Sequence, residues 1–109
     1  MFKDESESMQ ETVKYASTHF EEINKEEMKK LEPELLEEII RNPSLRLNEE
    51  DSLIEFILEL YKIDSKYSTL FEYVEFKNVK VDSLQKFIDL FDIELLNSQI
   101  WKRICQRLV

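Results

Sequence analysis

The sequence predicts an all-α fold: an orthogonal array of six or seven short helices around one buried central helix at about residues 49–63. Three observations carry this. The 109 residues contain no glycine, against an average use of about 7%, which removes the turns on which hairpins, propellers and sandwiches depend. Apolar residues recur at three- and four-residue steps through most of the chain, the period of a helix face. The stretch Leu53, Ile54, Phe56, Ile57, Leu58, Leu60, Tyr61 leaves little but Glu55 and Glu59 for water, and a helix apolar on most sides is wrapped by others.

Residues 1–7 are polar and read as a flexible N-terminal segment. Ser8 and Glu11 have capping-box spacing, and Met9, Val13, Ala16, Phe20 and Ile23 then form one amphipathic stripe. Lys25–Leu31 is a short helical turn with Met28 and Leu31 three apart. Pro33 suits the first turn of the next helix, where its missing N–H has no helical partner. The inner face of that helix is Leu35, Leu36, Ile39 and Ile40. Asn42-Pro43-Ser44 stops it, because proline disfavours the α region for the residue before it. Leu45 and Leu47 point the same way around Arg46, too briefly for a sheet. Asn48 is the expected cap of the central helix, and Glu49-Glu50-Asp51 suits the positive end of its dipole.

Asp64-Ser65 offers a fresh cap, after which Tyr67, Leu70, Phe71 and Val74 share one side of a short helix. Phe76–Val81 is a connector anchored by Phe76, Val79 and Val81. Asp82 caps a helix with Leu84, Phe87, Ile88 and Phe91 inward. Asn97 or Ser98 caps the last, which turns Ile100, Trp101, Ile104, Cys105 and Leu108 inward. Connections of two to six residues make sequential helices neighbours, and residues 8–109 read as a single helical domain, part of a larger multidomain protein.

Composition excludes several functions. Phosphate-cradling and dinucleotide loops need glycine, so P-loop and Rossmann chemistry is out. A net charge of −9 disfavours binding to a phosphate backbone, hence no nucleic acid. The charge is uneven: net −7 over residues 1–40, −2 over 41–80 and zero over 81–109. That acidic first third is in the main a solvated surface. Cys105 is the only cysteine, which fits a reducing compartment, and its apolar neighbours suggest a buried, inert thiol. MFKDESES is not a signal peptide, and no apolar run approaches a membrane span. A soluble, intracellular protein is expected, in the cytoplasm, with the nucleus left open.

Catalytic groups are scarce. His19 is the only histidine and reads as an ordinary boundary residue. Zinc would need further nitrogen or sulfur ligands. The carboxylates at 21–22, 26–27 and 49–51 lack the oxygen alternation and glycine of a calcium loop. Serines fall at caps and turns. The chain is therefore expected to be no enzyme, with no catalytic, cofactor-binding or metal residue and no cofactor.

The segments ASTHFEEI (16–23), LEPELLEEIIRNPSLRLNEEDSLIEFI (31–57) and LFEYVEF (70–76) resemble the BACK domain, the helical module that follows BTB in BTB–Kelch and related adaptors. The matching features are an opening helix ending at Phe20, the rung Leu45-Arg46-Leu47 before acidic Glu50, and the helix with Leu70, Phe71 and Val74. The resemblance covers roughly 9–91. Leu60 stands where Kelch-type members often carry tryptophan, and Glu75 where arginine follows the valine. The chain thus looks like a divergent, protist-type member. The resemblance implies a non-enzymatic structural and interaction module of an adaptor, orienting a substrate-binding domain in a cullin-based ubiquitin ligase. Its implied partners are proteins, with a cullin reached through an attached BTB domain, no membrane, and pairing with a second copy only in the full-length context. The chain begins after most of the helix pair that assists the cullin contact, which leaves Glu11, Glu21 and Glu22 as candidate partner-binding residues. The alternative is a free-standing acidic helical protein that binds a basic protein partner. A BTB sequence flanking the chain in the full-length product is expected for the first reading, a native stop at Val109 for the second.

Overall fold

The computed structural model describes residues 5–108, with side chains from residue 11 onward. Six α-helices follow one another: α1 (Glu5–Thr18), α2 (Lys25–Met28), α3 (Pro33–Arg41), α4 (Glu50–Ile63), α5 (Val81–Leu90) and α6 (Ser98–Leu108). Three 3₁₀ segments, Ser65–Tyr73, Phe76–Asn78 and Ile93–Leu95, join them. No strand occurs among the described residues, so the expected all-α class holds. The chain groups into two compact units, residues 1–47 and 48–109.

In the first unit α1 packs against α3. Helix α1 already runs from Glu5, upstream of the expected start at Ser8. The side chains of Ser8 and Met9, and residues 1–4 of the expected tail, lie outside what is described. Val13, Ala16 and Phe20 are buried as the stripe predicts, and so are Leu36, Ile39 and Ile40 of α3. A buried hydroxyl pins the two helices: Ser17 Oγ donates to Ile39 O at 2.8 Å. The carbonyl of Ser17 in turn accepts from Arg46 N at 3.0 Å, which fixes the Leu45–Leu47 rung without a strand. Asn24 caps α2, its Oδ1 accepting from Glu26 N and Glu27 N at 2.8 and 3.4 Å. Pro33 opens α3 as expected. Asn42 closes it in an extended conformation, its Oδ1 accepting from Ser44 N at 2.8 Å.

In the second unit α4 is the buried element. Leu53, Ile54, Phe56, Ile57, Leu58 and Leu60 are all shielded, covered by Ser65–Tyr73, Phe76–Asn78 and α5. Asn48 is not its cap. Glu49 holds that position in extended backbone (φ −152°, ψ 151°) without a side-chain cap bond, and its carboxylate pairs with Lys80 Nζ at 2.9 Å. Asp64 does cap the following segment, accepting from Lys66 N at 3.0 Å, and that segment is 3₁₀ rather than α. Its Tyr67, Leu70 and Phe71, with Val74 after it, are buried as expected. The rings of Tyr61, Phe71, Phe76, Phe87 and Phe91 pack edge-to-face or stacked at 4.8–6.0 Å, the favoured separations for aromatic pairs.

Three expectations about α5 need correction. Its cap is Lys80, not Asp82, because Asp51 holds the Lys80 N–H and fixes the helix start there. Val81 is exposed, and Ile88 is 59% exposed. Residues along a helix are about 100° apart, and once Ser83, Phe87 and Phe91 face α4, Ile88 falls outside the covered arc.

Helix α6 is also rotated from expectation. Asn97 caps it, accepting from Ile100 N at 2.9 Å, and Ile100 is fully buried. But Trp101 is 52% and Leu108 76% exposed, and Cys105 is only half-buried. Two arginines claim the inner side instead. Arg103 Nε donates to Glu72 O at 3.2 Å, and Arg107 Nη1 donates to Phe76 O and Val79 O at 2.8 and 2.5 Å. Those carbonyls lie in or just after the two 3₁₀ segments, and that of Phe76 also accepts from Val79 N at 3.2 Å.

Candidate functional site

The groups that chemistry would use are occupied by structure. His19 Nδ1 lies 2.9 Å from both Tyr15 O and Thr18 Oγ1, and its ring stacks on Tyr15 at 4.1 Å. Lys25 donates to Phe20 O and Ile23 O and lies over the Phe20 ring. Partial burial lowers its pKa, with Glu21 pulling the other way.

The acidic start of α4 serves as a clamp. Glu50 Oε2 accepts from Glu75 N at 3.0 Å. Asp51, 6% exposed, accepts from Lys80 N at 3.1 and 3.3 Å. Burial alone would raise both carboxyl pKa values. For Glu50 it prevails, over the opposing Glu75 N–H and Arg103. For Asp51 the hydrogen bonds from Ser83 and Lys80 and the Lys80 charge outweigh it, leaving that group below its usual value. Two carboxylates in one turn are thus driven apart by whether donors compensate desolvation. Among the described residues no group of three or more His, Cys, Asp or Glu side chains is placed to hold a metal ion. Among the described residues no helix is long and apolar enough to cross a membrane.

The candidate partner-binding residues lie on α1 and just after it. Glu11 is exposed on α1, and Glu21 and Glu22 lie in the turn after it, half-buried and exposed respectively.

Depressions lie elsewhere on the described residues. In the first unit, Val13, Glu38, Arg41, Asn42 and Pro43 line a cleft of about 340 Å³. In the second, α4 and α5 enclose a groove of about 450 Å³ with Leu58 and Leu90 beside Glu55, Glu59, Lys62, Lys86 and Asp89. Neither this groove nor the exposed α6 stripe was evident in the sequence. The only signal was a surplus of apolar residues at 88, 90, 101 and 108.

The BACK family profile (BTB And C-terminal Kelch) matches residues 4–89, most of the chain. The chain belongs to the BACK family. No curated protein matches it, and no solved structure does. The BACK match spans α1 through nearly all of α5 and agrees with the extent read from the sequence motifs. BACK is a non-catalytic adaptor-type module of BTB–Kelch proteins, and a protein-interaction context follows from membership. Within the domain, Leu60 is fully buried. Glu75 accepts from Asn78 Nδ2 at 3.0 Å.

Proposed function

We propose that this BACK domain is a non-enzymatic spacing and interaction module of a BTB–BACK adaptor, orienting a substrate-binding domain within a cullin-based ubiquitin ligase inside the cell. The family match over residues 4–89 carries the reading. The occupied state of the chemically capable side chains supports it: Asp51, Glu50, Ser17, Arg103 and Arg107 each hold backbone groups in place, which suits a rigid spacer. A cullin would be engaged mainly through an attached BTB domain. Glu11, Glu21 and Glu22 would add only steering charge, because exposed charges contribute little affinity at physiological salt.

The test is to titrate a cullin N-terminal region against residues 1–109 and against a longer polypeptide with a BTB domain preceding them. The expected result is undetectable or very weak binding by the first and clear binding by the second. Micromolar binding by residues 1–109 alone would mean the contact lies in this domain. Absence of binding by either would remove the ubiquitin reading. The second reading, an acidic helical protein that captures a basic partner, is favoured by the net −7 of residues 1–40 and the exposure of Glu11 and Glu22. Strongly salt-sensitive capture of a basic protein, lost on Glu11/Glu21/Glu22→Gln, would support it.

A further inference from the structure

Helix α6 is attached to its unit differently from α4. Helix α4 buries an apolar side chain in every turn. Helix α6 buries Ile100, with Arg103, Ile104, Cys105 and Arg107 half-buried and its remaining residues through Leu108 exposed. It lies on Ser65–Tyr73 and Phe76–Asn78, and what fastens it there is largely polar. Arg103 donates to Glu72 O, and Arg107 donates to Phe76 O and Val79 O. At the start of the helix Asn97 Nδ2 donates to Glu72 Oε2 at 3.0 Å. When such bonds break, water replaces the partners, so each contributes far less than its gross strength. A segment with few buried apolar side chains is the kind that opens locally, at a fraction of the cost of global unfolding.

The chain leading into α6 has the form of a hinge. Phe91 packs on Phe71 and Phe87, and Asp92 N donates to Tyr61 Oη at 3.1 Å, so the backbone is anchored to α4 as far as that point. The segment that follows, Ile93–Leu95, buries no side chain, and Ile93 is 72% exposed. Hinges need only a few such residues to absorb a backbone rotation, and glycine is not required. The BACK match ends at residue 89, ahead of both the hinge and α6.

We propose that α6 is a strap that opens and closes as one unit about Ile93–Leu95 while α4, α5 and the 3₁₀ segments beneath it stay folded, with Arg103 and Arg107 as its latch. Helix formation is cooperative, so the strap moves whole. Closed, it covers the seat of Ile100 and supplies donors to the carbonyls of Glu72, Phe76 and Val79. Open, it presents that apolar seat and those carbonyls to water, a surface that the closed form withholds. The strap does not depend on the cullin reading, because every contact it uses lies within residues 48–109.

The experiment is native-state hydrogen exchange of the 109-residue chain, followed amide by amide by NMR, in water and in low urea. The expected result is one common protection level for residues 101–107, about tenfold or more below that of the α4 core, with little dependence on urea, while α4 protection falls steeply. Arg107→Ala should lower protection along the whole of α6 by about tenfold or more, the loss expected for hydrogen bonds from a charged group. Ile57→Ala should lower α4 protection by roughly thirtyfold or more and leave α6 protection unchanged, because the strap opens without disturbing that core. Should Ile57→Ala fail to fold, the urea dependence of the wild type makes the same distinction. Equal protection and equal urea dependence in α6 and α4 overturn the proposal, since α6 would then open only with the whole unit. A protection gradient falling steadily toward Leu108, with Arg107→Ala felt only in the last turn, overturns it as simple fraying. Unchanged α6 exchange in Arg107→Ala overturns the latch.

Discussion

Replacing Asp51 with alanine should destabilise the second unit by about 2–3 kcal/mol. The carboxylate is nearly inaccessible and ties the first turn of α4 to the first residue before α5. One N–H, that of Lys80, is shared between its two oxygens at 3.1 and 3.3 Å, so it counts once, at about 1.5–3 kcal/mol for a bond to a charged group. The buried Ser83 hydroxyl is the second donor. Its loss adds less than a full bond, because Glu55 Oε1 lies 3.4 Å away as a substitute acceptor. Lys80 Nζ contributes little, since it is exposed and already paired with Glu49. Asp51→Asn keeps one acceptor for the Lys80 N–H and should cost about 1 kcal/mol, the value of a neutral bond.

The pH dependence has a definite sign. The folded pKa of Asp51 lies below its unfolded value of about 3.9. Its stabilisation is therefore complete well above pH 4 and fades as pH falls through the depressed folded value. Glu50 acts in the opposite sense. Its folded pKa is raised, so protonation favours the folded state, and stability contributed by that group increases as pH falls toward the ordinary glutamate range. Urea unfolding followed by circular dichroism, for wild type and both variants at pH 7 and pH 3, measures these differences. A cost below about 0.5 kcal/mol for Asp51→Ala at pH 7, the level of an ordinary surface change, would refute the reasoning. So would a wild-type to Asp51→Asn gap that widens on acidification.

Ile57, fully buried in the middle of α4, should lose about 2–5 kcal/mol on Ile57→Ala from lost burial plus the residual cavity, measured by the same unfolding curves. Ser17→Ala should cost about 1 kcal/mol, because Ile39 O is left without its buried donor. Hydrogen exchange should show faster opening at the α1–α3 contact, and unaltered protection there would argue against the bond. Cys105, half-buried on α6, should react with a thiol reagent in the native protein without prior unfolding, and protection as complete as that of a core residue would mean that α6 lies with this face covered.

The arrangement of helices was legible in the sequence because it follows from local rules. The apolar period, Pro33 at a first turn, the Asn42-Pro43 stop, and the Asp64 and Asn97 caps each act within a few residues of themselves. The burial of Leu53–Leu60 followed from hydrophobicity on most sides of one helix, and the family was readable from the same core positions and the Leu45–Glu50 segment. Tertiary structure decided everything that depends on distant partners. Asp51 sits in a run of acidic residues that reads as dipole complementarity, and only the approach of Lys80, 29 positions away, makes it a clamp and moves the start of α5 ahead of Asp82. Arg103 and Arg107 look like solvent-facing charges until the carbonyls of Glu72, Phe76 and Val79 are brought beneath them. Satisfying those carbonyls turns the arginines inward and rotates Trp101 and Leu108 out to water. A sequence shows which side chains prefer burial, but the demand of buried backbone groups for donors settles which face of a helix is buried.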